Sequence, residues 1–179
     1  RNVAVTDSDD VALGLSDVDG TYAITSTAGS ITNSGNLDIE GASTFTVTNG
    51  QSISLNSSGN DFASTVTFAA SSGTIADITI VDNSAFDVKA LTITGDLSVT
   101  ASGAITDSGN ISVDGSGKTA TFNAGSGNDI TLNNSNDFKT LKIAAARNVA
   151  VTDSDDVALG LSDVDGTYAI TSTAGSITN

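Results

Sequence analysis

The chain has 179 residues and contains no Cys, His, Met, Trp or Pro, which removes thiol chemistry, zinc sites and histidine-based triads from consideration. Its 21 acidic residues against six basic ones give a formal charge of -15, a balance that repels nucleic-acid phosphates and anionic lipid headgroups. Hydrophobic residues make up 38% of the chain in regular Val, Ile, Leu and Phe alternation, too much apolar patterning for a disordered acidic segment.

In chain order the alternation appears as short runs. They are VAV at Val3, YAI at Tyr22, LDI at Leu37, FTV at Phe45, ISL at Ile53, VTF at Val66, ITI at Ile78, LTI at Leu91, LSV at Leu97, ISV at Ile111, ITL at Ile130 and LKI at Leu141. Two apolar residues flanking a small or polar one is the period-2 signature of a strand buried on one face. Between the runs lie clusters of Gly, Asn, Asp and Ser, which turn a chain through positive φ or by bonding their own backbone. No stretch has a helical period, and none approaches the ~18 apolar residues of a membrane span. The chain is expected to be all-β.

The opening segment, Arg1 to Asn33, recurs without substitution as Arg147 to Asn179. A fainter copy lies inside the unit that separates them. Ala28–Gly41 matches Ser102–Gly115, the segment ending at Phe62 matches that ending at Phe138, and the segment from Ile78 resembles that from Val149. Residues 1–179 therefore read as one continuous solenoid segment: a repeat unit, 1–146, followed by the start of an identical unit at 147–179. The unit is itself built of two diverged halves of roughly 73 residues each. No charged start and apolar run opens at Arg1, and the chain reads as an excerpt of something longer.

Short strands, few aromatics and the lack of Pro favour a parallel β-helix over a β-sandwich. Equivalent strands at Leu97, Thr119, near Lys142 and at Tyr168 predict coils of roughly 20 to 25 residues. On this reading Val99, Phe122, Ile143 and Ile170 form an inward apolar column, and Asn36, Asn110, Asn60 and Asn136 stack as ladders that satisfy turn backbone.

The sharpest local chemistry is the acidic pair of turns TDSDD and SDVDG, with Asp7, Asp9, Asp10, Asp17 and Asp19, repeated as Asp153, Asp155, Asp156, Asp163 and Asp165. Carboxylates on turns are hard oxygen donors suited to calcium, but no Glu closes a twelve-residue EF-hand frame, and solvated turn aspartates are the expected reading. No other cofactor is expected. Paired carboxylates also serve polysaccharide cleavage, yet a groove for sugar needs basic or aromatic neighbours, and the only basic residues are Arg1, Lys89, Lys118, Lys139, Lys142 and Arg147. An enzyme is not expected. A T-x-T water-binding array needs threonine pairs on one face of every coil, and YAI, LSV and LKI at the matched places argue against it. Tyr22 and Phe62 are expected in the core rather than stacked on sugar.

The stretch GDLSVTASGAITDSGNISVDGSG, Gly95 to Gly117, resembles the central repeats of filamentous-haemagglutinin-like exoproteins of bacterial two-partner secretion systems. That resemblance implies a right-handed parallel β-helix, export to the bacterial surface or the extracellular space, and service as a stiff stalk in surface attachment. The partners it implies are neighbouring repeats, further copies stacked end to end, and a host or bacterial cell surface. A self-assembling filament or sheath subunit, and repeats that themselves bind carbohydrate or a cell surface, are the alternatives. No functional residue of that family maps onto a position here.

Overall fold

A computed structural model describes all of residues 1–179; it is all-β, with 23 short strands and no helix. Contacts group the chain into two compact units, Arg1–Ser84 and Ala85–Asn179.

The first unit runs β1 (Val3–Asp7), β2 (Val11–Leu13), β3 (Ser16–Val18), β4 (Tyr22–Ser26), β5 (Ile31–Asn33), β6 (Leu37–Ile39), β7 (Ser43–Val47), β8 (Ile53–Leu55), β9 (Asp61–Phe62), β10 (Val66–Ala70) and β11 (Ile78–Asp82). All pairings are parallel and join a strand to one a full coil later. β1-β4-β7-β10 form one sheet, β2-β5-β8-β11 run along a second, and β3-β6-β9 form the third. Val3, Tyr22, Ser43 and Val66 are successive register partners on the first side, and Val11, Ile31, Ile53 and Ile78 on the second. These spacings match the coil length read from the sequence. Parallel strands need a crossover, and here the two other sides of the coil supply it.

The second unit runs β12 (Phe86–Val88), β13 (Leu91–Ile93), β14 (Leu97–Ala101), β15 (Ile105–Asp107), β16 (Ile111–Val113), β17 (Ala120–Asn123), β18 (Ile130–Phe138), β19 (Thr140–Ala145), β20 (Val149–Asp153), β21 (Val157–Leu159), β22 (Tyr168–Ser172) and β23 (Ile177–Thr178). It is the same parallel solenoid. β12-β15-β18-β20-β22 stack on one side and β14-β17-β19-β21-β23 on another, while β13, β16 and the end of β18 make the third.

The period-2 pattern turns one residue of each alternating pair into the coil. Ile24, Phe45, Leu55, Ile39 and Ile80 are fully buried in the first unit, and Val99, Phe122 and Ile143 in the second. Val99, Phe122 and Ile143 are register partners and form the expected column. Ile170 does not join it. β19 continues into β21, pairing Leu141 with Leu159, whereas β22 stacks on β20, pairing Ile170 with Val151. The expectation failed because the second copy of the opening segment starts on a different side of the coil.

That shift recurs. By sequence β11 and β20 both correspond to β1, the opening strand of a half-repeat, yet neither stacks on the last strand of the preceding half. β11 pairs with β8 rather than with β10, and β20 pairs with β18, the counterpart of β8, rather than with β19. A half-repeat is therefore not a whole number of coils, and each new half opens one side further round.

Aromatic rings are rare and concentrated. Phe45 meets Tyr22 and Phe62 edge-on at 6.1 Å and stacks on Phe68 at 6.2 Å, and Phe122 meets Phe138 edge-on at 5.8 Å. Tyr22 and Phe62 are buried in this cluster, as expected of core rings. Of the turns, that at Asn49–Gly50 needs glycine for its positive φ of 75°. Gly73, at φ 60°, must also leave room for the Asn49 side chain, whose Oδ1 accepts the Thr74 N–H at 3.0 Å.

Candidate functional site

The acidic turns are the strongest chemical signal in the sequence, and the structure separates their members. Asp7, Asp9 and Asp10 sit on the β1–β2 turn. There Asp7 Oδ1 accepts the Asp9 N–H at 3.0 Å, Asp9 Oδ1 the Asp10 N–H at 2.9 Å, and Asp10 Oδ1 the Ser30 N–H of the next coil at 2.7 Å. Asp17 points outward from β3, and Asp19 lies on the exposed turn after it. In the second copy Asp156 takes the same role as Asp10, accepting the Ser176 N–H at 2.6 Å. Asp155 accepts the Ser172 hydroxyl through its carbonyl at 2.8 Å. Asp163 and Asp165 meet the previous coil through backbone, their N–H groups donating to Ile143 and Ala146. No group of three or more acidic side chains converges as metal ligands. The carboxylates of Asp7, Asp9, Asp10 and Asp156 turn the chain and fasten one coil to the next.

Asp153 is different. It is fully buried, its Oδ2 accepting the Phe138 N–H at 2.8 Å and its Oδ1 the Asp155 N–H at 3.0 Å. Asp82, at the same place on β11, is also buried, and its Oδ1 accepts the N–H groups of Phe62 and Ser84, each at 3.3 Å. Both residues sit at a half-repeat junction and serve the same purpose. The third sheet ends at β9 in one unit and at the end of β18 in the other, so Phe62 and Phe138 have no further strand to receive their N–H groups. A carboxylate from the opening strand of the next half takes that place. Burial pushes both carboxyl groups up from the usual carboxylate range.

The asparagine expectation holds for one pair and not for the other. Asn60 and Asn136 are fully buried, and each side chain spans two coils. Asn60 Oδ1 accepts the Leu37 N–H at 3.0 Å while its Nδ2 donates to the Leu55 carbonyl at 3.1 Å. Asn136 Oδ1 accepts the Ile111 N–H at 2.8 Å while its Nδ2 donates to the Leu132 carbonyl at 3.3 Å. Each is held by the preceding coil: Asn33 Nδ2 donates to Asn60 Oδ1 at 2.8 Å, and Asn136 Nδ2 donates to Asp107 Oδ2 at 2.9 Å. Asn36 and Asn110 are exposed and contribute only their backbone carbonyls, to Ser16 and Leu91. They lie on outward turns, where a side-chain ladder has nothing to satisfy.

Surface charge is divided unevenly. Asp17, Asp38 and Asp61 are register partners on β3, β6 and β9, an outward column of three carboxylates. The second unit places Thr92, Ser112 and Asp137 at the matching positions, with the Lys139 ammonium 3.0 Å from Asp137. Lys89 pairs with Asp87 at 2.9 Å, Lys118 with Asp96 at 3.2 Å, and Arg147 with Asp129 at 2.7 Å. The bidentate Arg147 guanidinium, with Asn148 also donating, holds the Asp129 carboxyl down at about 2. A shallow groove beside this pair is floored by Ile130, Val149 and Ala150, and its polar rim is already engaged, Asn148 donating to Asp129 at 2.9 Å.

The threonine expectation mixed strands of different sheets: LSV on β14 and LKI on β19 share one sheet, and YAI on β4 lies in another with β1, β7 and β10. Those four strands present Ala4 and Thr6, Ala23 and Thr25, Thr44 and Thr46, and Thr67 and Ala69 outward in register. This is an uncharged Thr/Ala surface on one side of the first unit.

Sequence reasoning missed Asp82, Asp107 and the capping role of Asp153. The signal was present: an Asp closes both ITIVD and VAVTD, and NDF ends both preceding segments.

A parallel solenoid of repeated coils joined by buried Asp and Asn side chains defines the class. The chain belongs to a family described as repeats of unknown function (DUF5649), whose profile matches residues 1–69, 75–145 and 146–179. No curated protein and no solved structure matches it.

Proposed function

We propose that this chain is a structural repeat segment of a large bacterial extracellular fibre or adhesin, a stiff stalk whose work is mechanical. The observation that carries this reading is the behaviour of the two identical copies, Arg1–Asn33 and Arg147–Asn179. Each buries what its neighbours cover. Tyr22 and Ile31, covered by β7 and β8, are 4% and 0% exposed, while Tyr168 and Ile177 are 37% and 44% exposed; Val151, of β20 and covered by β18, is 2% exposed and Val5 is 41% exposed. Each coil is thus a seat for another coil, which suits a molecule that grows by repetition. The similarity of Gly95–Gly117 to filamentous-haemagglutinin-like repeats supports export and surface attachment, with further repeats or further copies as the partners along the axis.

The test is electron microscopy of arrays carrying one, two and four copies of the 1–146 unit. With coils stacked at about 4.8 Å, each added unit should lengthen a rod of constant width by about 30 Å. Separate beads joined by linkers would refute the stalk. The reading in which the repeats themselves bind carbohydrate would gain from glycan-array binding that scales with unit number.

A further inference from the structure

We infer that Asp82 is a proton-operated clasp at the half-repeat junction, one that tightens the join between β11 and β9 as the pH falls from neutral toward 4. The geometry around its two oxygens carries the inference. Both N–H donors, from Phe62 and Ser84, converge on Oδ1. Oδ2 holds no backbone N–H; the Ser84 hydroxyl bridges the two oxygens, 3.3 Å from Oδ1 and 3.4 Å from Oδ2, and a hydroxyl accepts as readily as it donates. A proton can therefore settle on Oδ2 and be donated to Ser84 Oγ, with neither backbone N–H displaced.

The surroundings favour that neutral form. The side chain is fully buried, and the charged group facing it is Asp61, on the strand that the clasp closes. Two carboxylates thus meet at this junction, and protonating the buried one removes both its desolvation cost and the repulsion. Burial holds the folded-state pKa of Asp82 above its ordinary value of 3.8. The folded chain then binds this proton more tightly than the unfolded chain, so the contribution to stability grows as pH falls through the raised pKa and is lost as pH rises through it.

Asp153 occupies the same place at the next junction and is built otherwise. Each of its oxygens holds a backbone N–H, from Phe138 and from Asp155. A proton on either oxygen weakens one of those bonds. The charges facing it are Asp137 and Lys139, which are paired with each other at 3.0 Å. The proton-operated form therefore belongs to Asp82, and Asp153 is the fixed version of the same cap.

Amide hydrogen exchange on the whole chain tests this, with rates corrected for the intrinsic pH dependence of exchange. Protection of the Phe62 amide should rise several-fold between pH 7 and pH 4.5, and by a larger factor than protection of the Phe138 amide, because burial raises both carboxyl groups but only Asp82 takes the proton without giving up a backbone bond. Asp82→Asn supplies the neutral group at every pH, with Oδ1 for the two N–H groups and Nδ2 for Ser84 Oγ. At pH 7 it should raise Phe62 protection and flatten its pH profile, whereas Asp38→Asn, an exposed control for general charge relief, should leave the profile steep. Unchanged Phe62 protection across the range, or lower protection in Asp82→Asn than in the parent at pH 7, would overturn the clasp. Carbon-detected NMR titration of the parent chain decides the matter even if the variant does not fold. An Asp82 carboxyl that titrates at or below the ordinary value of 3.8 sinks the proposal, and one that titrates above it supports it.

Discussion

At the scale of single residues, the solenoid depends on a few buried polar side chains that perform backbone work. Asn136 accepts the Ile111 N–H in the interior and also donates to the Leu132 carbonyl. Asn136→Ala should strand the Ile111 N–H, and a buried unmatched group costs about 1–3 kcal/mol. Asn110, the residue next to Ile111, is exposed and contributes only its carbonyl, so Asn110→Ala should fall within about 0.5 kcal/mol of the parent. Urea denaturation of the two variants checks the contrast. Equal midpoints would mean that water replaces the Asn136 bonds. This distinction was half legible in the sequence. The recurrence of Asn at matched places is visible, but all four positions look alike, since the local text does not tell an inward turn from an outward one.

At the scale of elements, the third sheet of the first unit carries a penalty that its counterpart avoids. Asp17, Asp38 and Asp61 point outward from three adjacent parallel strands, and like charges directly opposite one another destabilise a sheet. Replacing the middle member by the opposite charge converts two repulsions into two attractions. Asp38→Lys should raise the melting temperature at low ionic strength, and the gain over the parent should shrink as salt is added. A loss of stability on this substitution at every salt concentration would show that the column is not felt as repulsion. The strands themselves were plain from the alternation of LDI and ISV. Their stacking order was not, because Tyr168 and Leu97 open runs of the same kind and belong to different sheets.

At the scale of the whole molecule, charge is distributed unevenly between the two units. Positions 1–84 hold ten of the 21 acidic residues and one of the six basic residues; positions 85–179 hold the remainder. Raising ionic strength from about 0.01 M to about 0.15 M shortens the Debye length from about 30 Å to about 8 Å. Self-repulsion should fall most in the first unit, so amide protection there should increase more with salt than it does in the second. Equal gains in the two units would show that the ion pairs of Lys89, Lys118, Lys139 and Arg147 do not shield the second. The acidic turns that invited a calcium reading belong to this scale as well. Their carboxylates are spread along the turns, and those of Asp7, Asp9, Asp10, Asp153 and Asp156 are spent on backbone N–H groups of their own turn or a neighbouring coil.

The sequence alone determined that the chain is all-β, where its most regularly alternating strands lie, and that Val99, Phe122 and Ile143 face inward in one column. It also determined the coil length, roughly 20 to 25 residues, from the recurrence of matched strands. These follow from period-2 alternation and from the spacing of turns, both of which are local. Only the tertiary structure decided which strand lies on which. Each half-repeat opens on a new side of the coil, because its length is not a whole number of coils. The two copies of VAVTDSDD make the reason concrete. Asp7 is exposed and Asp153 is fully buried, within identical local text, because β20 stacks on β18 and brings Asp153 against the Phe138 N–H, whereas β1 has a neighbouring strand on one side only. Burial in a solenoid is conferred by the adjacent coil, and the residues that confer it lie a full turn away in the sequence.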